Sequence, residues 1–216
     1  MKKPILFNTE MVEAILSGRK TTTRRIIKDV SSRLNFIGTS SEDGVIFNHA
    51  IFGHGDIDDI ANVKVEKRIK APYLPGDILW VRETWKVQSL SNMNYRAKFL
   101  YKAKPNYKLK TTNVDSETYI KLLRYESKNG WHPSIFMPKV AARIFLKVKE
   151  VRIERLQGLD YQGALGEGII GYDGWTSKFK ELWNSTLKKE QLNKYSWNSD
   201  PWVWVIEFER IEDFNE

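Results

Sequence analysis

The side chains from Arg143 to Ile153 alternate between apolar and charged over most of their length, and this pattern constrains the fold most strongly. Successive side chains of a β-strand point to opposite faces, so the alternation predicts a long strand with one buried face. The closing run Trp202–Arg210 predicts a second long strand, and the apolar-rich run Ile78–Trp85 predicts a third. Strands therefore dominate the expected core.

Helical patterns are few and short. Apolar spacing and capping residues predict four helices, at Glu10–Leu16, Ser116–Lys128, Asp160–Glu167 and Thr176–Leu187. Several strands with few helices, joined by antiparallel-style connections, favour a small mixed β-barrel decorated by helices over a parallel sheet. The predicted fold class is α+β.

The chain has 216 residues, which predicts a single domain over residues 1–216. Two polar stretches interrupt the pattern, at about 31–62 and 86–130, and we interpret them as insertions, the first rich in Ser, Gly, Asn and Asp. The absence of cysteine excludes thiol catalysis and Cys-based zinc sites, and it is compatible with a reducing cytoplasm. No apolar run approaches the roughly 20 residues of a membrane helix, so we expect a cytoplasmic protein without membrane association.

Positive charge is in excess and is clustered. The formal net charge is +8, and much of it lies in Lys20–Lys28, Lys64–Lys70 and Lys98–Lys110. Such an excess favours a polyanionic partner. Aromatic and basic residues also interleave over Tyr95–Lys108, which suits base stacking beside phosphate contacts, although an ordinary strand with one wet face gives the same pattern.

The segment Gly18–Arg25 contains four cations and three threonines directly after the first predicted helix. Gly18 is placed to end that helix, and the β-branched threonines favour extended chain after it. A helix that delivers alternating cations and hydroxyls into a strand predicts an anion-binding or nucleophile-presenting wall. A solvated basic turn is the other interpretation of the same residues.

Other catalytic signatures are missing. The chain has no phosphate-binding glycine-rich loop, no G-x-G-x-x-G, no H-E-x-x-H and no G-x-S-x-G. A metal-like cluster occurs in the first insertion and consists of His49, His54, Asp56, Asp58 and Asp59. Such residues in a glycine-rich loop usually face solvent, so we expect no metal and no cofactor.

The remaining chemistry uses lysine, threonine and a carboxylate. A threonine hydroxyl such as that of Thr23 needs a base, and Lys20 can act as one only if burial or neighbouring cations depress its pKa. The carboxylate that holds or relays the proton must come from elsewhere in the chain. Glu167 and Glu83 are both candidates, and spacing does not choose between them.

Gly18, Lys20, Thr23 and Arg25 together fit a GxKxxTxR signature, and the chain thereby resembles the ASCH (activating signal cointegrator homology) domains of the PUA-like superfamily. Three further stretches support the resemblance: Pro75–Trp85, Ala164–Ile169 and Trp204–Phe208. The larger pattern, including His132–Pro138, is similar to phage and prophage members of that family.

The resemblance implies a PUA-like β-barrel with a cleft beside the first helix that accepts RNA, a nucleotide or a modified base. Some small members look like amidohydrolases that remove the acetyl group of acetylcytidine. The positions thought to act in them correspond here to Lys20, Thr23 and Glu167. Other members are described as RNA-binding proteins or nucleases, so the family alone does not fix the reaction.

Two functional hypotheses follow. The first is a module that binds RNA, single-stranded nucleic acid or a modified nucleoside, with Trp80, Trp85 or Trp131 as candidate stacking rings. Its ligand-binding residues are Arg19, Lys20, Arg24, Arg25, Glu83, Trp85 and Arg143. The alternative is an enzyme, either a nuclease or an amidohydrolase with Lys20 as base, Thr23 as nucleophile and Glu167 as proton shuttle. A structural interpretation also remains, in which the threonines only form strand and Arg25 pairs with Glu83 or Glu207.

Overall fold

The computed structural model describes residues 1–42, 44–55, 62–103, 109–128 and 130–211. The strands are β1 (Lys2–Leu6), β2 (Thr22–Ile26), β3 (Asn35–Glu42), β4 (Val45–His54), β5 (Lys64–Lys70), β6 (Ile78–Arg82), β7 (Trp85–Ser91), β8 (Arg96–Tyr101), β9 (Lys110–Asn113), β10 (Phe145–Arg155) and β11 (Trp202–Ile211). The α-helices are α1 (Thr9–Leu16), α2 (Ser116–Glu126), α3 (Tyr161–Gly166), α4 (Trp175–Ser185) and α5 (Leu192–Tyr195). The predicted α+β class is confirmed.

The chain divides into two compact units. Unit 1 comprises Met1–Lys20, Asp77–Lys147 and, of the described residues, 209–211, and unit 2 comprises Thr21–Gly76 and Val148–Phe208. The described strands belong to three sheets whose strand orders are open, and they form no closed barrel. The single-domain organisation stays a prediction.

Unit 1 begins with a parallel strand pair. β1 lies parallel to β6 with Pro4 opposite Trp80, and β6 lies antiparallel to the start of β10. The helix α1 follows β1 and begins where the side chain of Asn8 accepts a hydrogen bond from the backbone N–H of Met11 at 2.8 Å. It ends before Gly18, whose φ of +75° suits glycine, as predicted.

The second sheet of unit 1 has the order β7-β8-β9 and packs against α2. Its core contains Trp85, Phe99, Tyr101, Leu122 and Met137, all buried. The sequence predicted one continuous strand over Ile78–Trp85, and this is wrong, because the chain leaves β6 after Arg82 and starts β7 at Trp85.

The core of unit 2 packs helices α3 and α4 against the β2–β11 pair. β11 lies antiparallel to β2, with Val203 opposite Ile26 and Glu207 opposite Thr22. The buried members of this core are Leu156, Leu159, Ala164, Phe179, Trp183, Val203 and Val205. The predicted helices of this region are therefore present, with their ends shifted by one or two residues.

Residues 31–62 were expected to form a loop or insertion, but the structure places two long strands there. β3 and β4 pair as an antiparallel hairpin, and β4 also pairs with β5 to give the order β3-β4-β5. Phe36 and Phe52 of this sheet contact Trp202 with ring centroids 6.2 and 5.6 Å away. The sheet is thus part of the aromatic core of unit 2.

In the stretches of chain that the structure describes, no helix combines the length and the apolar character needed to cross a membrane.

Candidate functional site

The strand β2 carries three of the predicted site residues, Thr23, Arg24 and Arg25. Thr22, Arg24 and Ile26 share one face of this strand, and Thr23 and Arg25 share the other, because side chains alternate along a strand. The partner strand supports this assignment. Arg24 lies opposite Val205, which is part of the core beneath α3, while Arg25 lies opposite Trp204.

On the first face, Arg24 forms a buried ion-pair network. Its Nη1 donates to Oε1 of Glu167 at 3.2 Å, and its Nη2 donates to Oε2 of Glu154 at 3.0 Å. The side chains of Arg24 and Glu167 are only 2% and 4% exposed. Glu154 also accepts a hydrogen bond from Nε of Arg152 at 2.6 Å. The Nε of Arg24 is buried and has no hydrogen-bond partner among the described residues.

Two glycines of α3 allow this close packing. A Cβ at Gly163 would lie 3.1 Å from Nη2 of Arg24, and a Cβ at Gly166 would lie 2.9 Å from Oγ1 of Thr22. The carbonyl of Gly166 also accepts a hydrogen bond from the backbone N–H of Thr21 at 2.8 Å. The helix end that supplies Glu167 is therefore fixed directly against β2.

A cavity of about 630 Å³ opens at β2 within unit 2, and we call it the β2 cavity. Its cationic lining residues are Arg24, Arg25, Lys28 and Lys70. Among the described residues that line it, Asp29 is the one acid. Its aromatic lining residues are Tyr73, Trp183 and Trp204. The cavity therefore combines a positive charge excess with planar apolar rings.

The environment of Arg25 is only partly solvated. Its side chain is half-buried, and burial lowers its pKa, while the nearby Tyr73 and Glu167 act in the opposite direction. A guanidinium starts from such a high pKa that it stays charged at neutral pH. Arg25 is therefore a fixed cation in a medium where its interaction with an anion is stronger than in bulk water.

The structure also places the predicted catalytic residues. Thr23 is buried on the face of β2 that carries Arg25, whereas Glu167 binds Arg24 on the opposite face. Lys20 ends unit 1 and is 2% exposed, with its Nζ 5.8 Å from the centre of the Phe7 ring. The proton-relay roles of these residues stay predictions.

The other predicted ligand-binding residues belong to unit 1. Arg19 is exposed, and its Nε donates to Oγ of Ser17 at 3.0 Å. Arg143 binds Glu83 with two hydrogen bonds of 2.8 Å, from Nε and from Nη2. Its guanidinium also lies 4.2 Å from the centre of the Tyr101 ring.

Burial dominates the electrostatics of the cluster formed by Glu83, Arg143 and Tyr101. Burial raises the pKa of the Glu83 carboxyl, and the charge and hydrogen bonds of Arg143 act to lower it. Burial also raises the pKa of the Tyr101 hydroxyl. The hydroxyl of Tyr101 donates to the carbonyl of Ala141 at 2.6 Å. The contacts seen at Glu83 are therefore those of a buried structural ion pair.

Of the three candidate stacking rings, two are partly or fully withdrawn from solvent. Trp85 is completely buried, with its ring near Phe99, Tyr125 and His132. Trp80 is half-buried, whereas Trp131 is 44% exposed.

Sequence reasoning missed most of the residues that line the β2 cavity. Lys28 and Lys70 belong to two of the charge clusters seen in the sequence, and that clustering was a signal that they could contact an anion. Tyr73, Trp183 and Trp204 had none as ligand contacts, because their proximity depends on how distant segments pack.

No cluster of three or more metal-binding side chains occurs among the residues that the structure describes. Of the metal-like set in the sequence, Asp56, Asp58 and Asp59 lie outside the described residues.

The chain matches no protein-family model, no curated protein and no solved structure.

Proposed function

We propose that unit 2 binds a nucleotide in the β2 cavity. The observation that carries the proposal is the pairing of Arg25 with Trp204 across the β2–β11 ladder, in a cavity with an excess of cations. A nucleotide combines an anionic phosphate with a planar base, which matches these two kinds of lining residue. The binding function expected from the sequence is thus proposed for a defined cavity.

The phosphate is placed on the cationic side. Arg25 lines the cavity with a half-buried side chain and Lys28 and Lys70 with exposed ones, whereas the neighbouring Arg24 is only 5% exposed. A guanidinium hydrogen bond to phosphate is charge-assisted and contributes about 1.5–3 kcal/mol. We therefore assign the main phosphate contact to Arg25 and supporting charge to the two lysines.

The base is placed on the aromatic side. Directly opposite residues of an antiparallel pair project to the same face, so the indole of Trp204 lies beside the side chain of Arg25. Stacking of a base on an aromatic ring contributes about 1–3 kcal/mol. Because the indole of Trp204 is only 5% exposed, the half-buried ring of Tyr73 in the same lining is the more accessible surface for the base.

The test compares adenosine and cytidine with their 5′-monophosphates by isothermal titration calorimetry. We expect each monophosphate to bind at least about tenfold more tightly than its nucleoside, since the phosphate adds a charge-assisted hydrogen bond. Arg25→Gln should abolish this preference. Arg33→Gln removes the same charge from an exposed position of unit 2 that does not line the cavity, and it should leave the preference intact.

Equal affinity for nucleoside and monophosphate, or an unchanged preference in Arg25→Gln, would refute the assignment. Loss of the preference in Arg33→Gln would show that only the overall charge matters.

An amidohydrolase acting on an acylated base is the second candidate. It is favoured by the burial of Thr23, which holds the nucleophile position of the GxKxxTxR resemblance, whereas the buried Glu167 is also the ion-pair partner of Arg24. Burial of a polar group costs free energy, so such groups are retained where they are paired or have a chemical task. In this mechanism the Thr23 hydroxyl attacks the acyl carbon and gives its proton to Lys20. The bond from that carbon to the base nitrogen then breaks as the nitrogen takes up that proton, and water hydrolyses the threonine ester to release acetate.

Release of acetate from acetylcytidine tests this candidate. Thr23→Val should abolish turnover because it removes the hydroxyl at nearly constant volume. Thr22→Val makes the same change at the adjacent position, which faces α3, and should leave turnover unchanged. Equal activity of Thr23→Val and the wild type would remove Thr23 from the mechanism.

We also propose a PUA-like fold of the ASCH type for this chain. The support is the GxKxxTxR signature together with its placement, since Gly18 follows α1 and Thr23 and Arg25 lie in the strand that comes next. An experimental structure tests the proposal, because the described strands, which form three open sheets, must then be joined into the barrel of that superfamily.

A further inference from the structure

We propose that the nucleotide in the β2 cavity belongs to a single-stranded nucleic acid, whose backbone continues from the cavity along β5 over Lys70 and Arg68. This inference rests on the proposed nucleotide site and specifies a polymer as its ligand. The observation behind it is that the basic strand β5 runs directly into the cavity, since Ile69 and Lys70 are part of the lining.

The strand β5 is unusually basic and exposed. It contains the four cations Lys64, Lys67, Arg68 and Lys70, and all four side chains are exposed. It lies last in the order β3-β4-β5, so its outer side is not covered by another described strand of that sheet. Its one acid, Glu66, lies 3.1 Å from Nε2 of His54. The charge of β5 therefore favours an anionic partner over a neutral or cationic one.

The register decides which cations continue the cavity lining. Lys70 lies opposite His49 and Arg68 lies opposite Ile51, so these two side chains project to the same face of the sheet. Lys67 lies opposite Phe52 and projects to the other face. Positions two apart on a strand are separated by about 6.6 Å. That distance suits contacts from one extended backbone to successive phosphates.

A bulge ends this alternation. Phe52 pairs with Lys67 and Gly53 pairs with Val65, so Glu66 has no opposite residue in β4. Beyond the bulge, Lys64 lies opposite His54, on the face of Phe52. Within β5, Arg68 is therefore the one other cation on the same face as the cavity residue Lys70.

The experiment compares a mononucleotide with oligonucleotides of increasing length, using fluorescently labelled oligothymidylate and oligouridylate and unlabelled 5′-monophosphates as competitors. We expect affinity to rise from one to about four nucleotides and to fall with added salt, with a slope near −0.7 for each phosphate contacted. Arg68→Gln should lower oligonucleotide affinity about two- to fivefold and reduce the salt slope by about 0.7, with mononucleotide affinity unchanged.

The matched control is Lys67→Gln, which removes the same charge from the adjacent exposed residue on the opposite face. It should have less than half the effect of Arg68→Gln on both quantities. Comparable losses in the two variants would show unspecific attraction to a basic surface and would overturn the proposed path.

The outcomes separate the inference from the proposed function. If monophosphates bind and Arg25→Gln weakens them, but oligonucleotides bind no better, the cavity is a free-nucleotide site and the polymer inference fails. If monophosphates do not bind, the proposed function itself fails.

Discussion

The buried ion pair between Arg24 and Glu167 gives a prediction that can be worked out from the structure. In Arg24→Met, Glu167 keeps its burial but loses the guanidinium that lies 3.2 Å away. Breaking a buried pair by removing one partner typically costs about 3–5 kcal/mol. We expect about 3 kcal/mol of lost unfolding free energy, the lower end, because the second acceptor Glu154 is 27% exposed and retains Arg152.

The reverse change should cost less. In Glu167→Gln the amide oxygen can still accept a hydrogen bond, and Arg24 keeps Glu154 at 3.0 Å. Loss of a charged hydrogen-bond partner then costs about 1.5–3 kcal/mol. In the double variant Arg24→Met/Glu167→Gln no buried charge remains in the pair. Its cost should therefore fall below the sum of the single costs by about 1–2 kcal/mol.

The assay is urea unfolding followed by tryptophan fluorescence and by circular dichroism. Arg152→Met is the matched control, because it removes the same type of side chain from the same acceptor, Glu154, at a position that is 37% exposed. An exposed pair contributes at most about 1 kcal/mol. If Arg24→Met costs no more than Arg152→Met, or if the single and double variants are additive, the buried network does not stabilise unit 2.

Three further predictions concern stability. Gly163→Ala should lower the free energy of unfolding in urea by about 1 kcal/mol or more, despite the helix preference of alanine, because the new Cβ would lie 2.7 Å from a methyl group of Leu159. Gly158→Ala is the control and should be tolerated, because its Cβ would meet no atom within 4 Å. Asn8→Ala should cost about 0.5–2 kcal/mol by removing the N-terminal cap of α1, and a lowered melting temperature that Asn8→Ser largely restores would confirm it. For Glu83, burial raises the pKa above its usual value, so the folded state holds this proton more tightly and stability falls as pH rises through the raised pKa. Arg143→Met removes the opposing charge, so urea midpoints measured from pH 4 to pH 8 should fall more steeply in the variant, and parallel curves would contradict the assignment.

Local patterns predicted the elements whose signal lies within one segment. The alternation from Arg143 to Ile153 gave β10 within two residues at each end, and the capping residues gave the start of α1. The break at Glu83 had no local signal. Its backbone N–H donates to the sulfur of Met137 and its carboxylate binds Arg143, so tertiary contacts end the strand.

The glycine-rich hairpin shows a different cause of failure. Glycine and polar residues between 31 and 62 suggested loop, yet Gly53 lies inside β4. A Cβ at that position would overlap the carbonyl oxygen of Lys64 on β5. The glycine therefore permits close strand approach and does not mark a turn.

The candidate site was predictable in its charge and not in its shape. The basic clusters already contained Arg25, Lys28 and Lys70. The rings that complete the cavity depend on the register of β11 against β2 and on the packing of α4, which no single segment encodes. The pairing of Arg25 with Trp204 joins positions far apart in the chain.

Because the two faces of β2 differ, the exact length of the connection that precedes this strand is critical. Adding or removing one residue between Gly18 and Thr22 would exchange the faces of the whole strand. With the β11 register kept, an insertion would move Arg25 to the position of Ile26, opposite the buried Val203. A deletion would put Arg25 in place of Arg24 and Ile26 in place of Arg25. Single-codon insertions and deletions in this short connection should therefore be among the least tolerated changes in the gene, although they barely alter composition or charge.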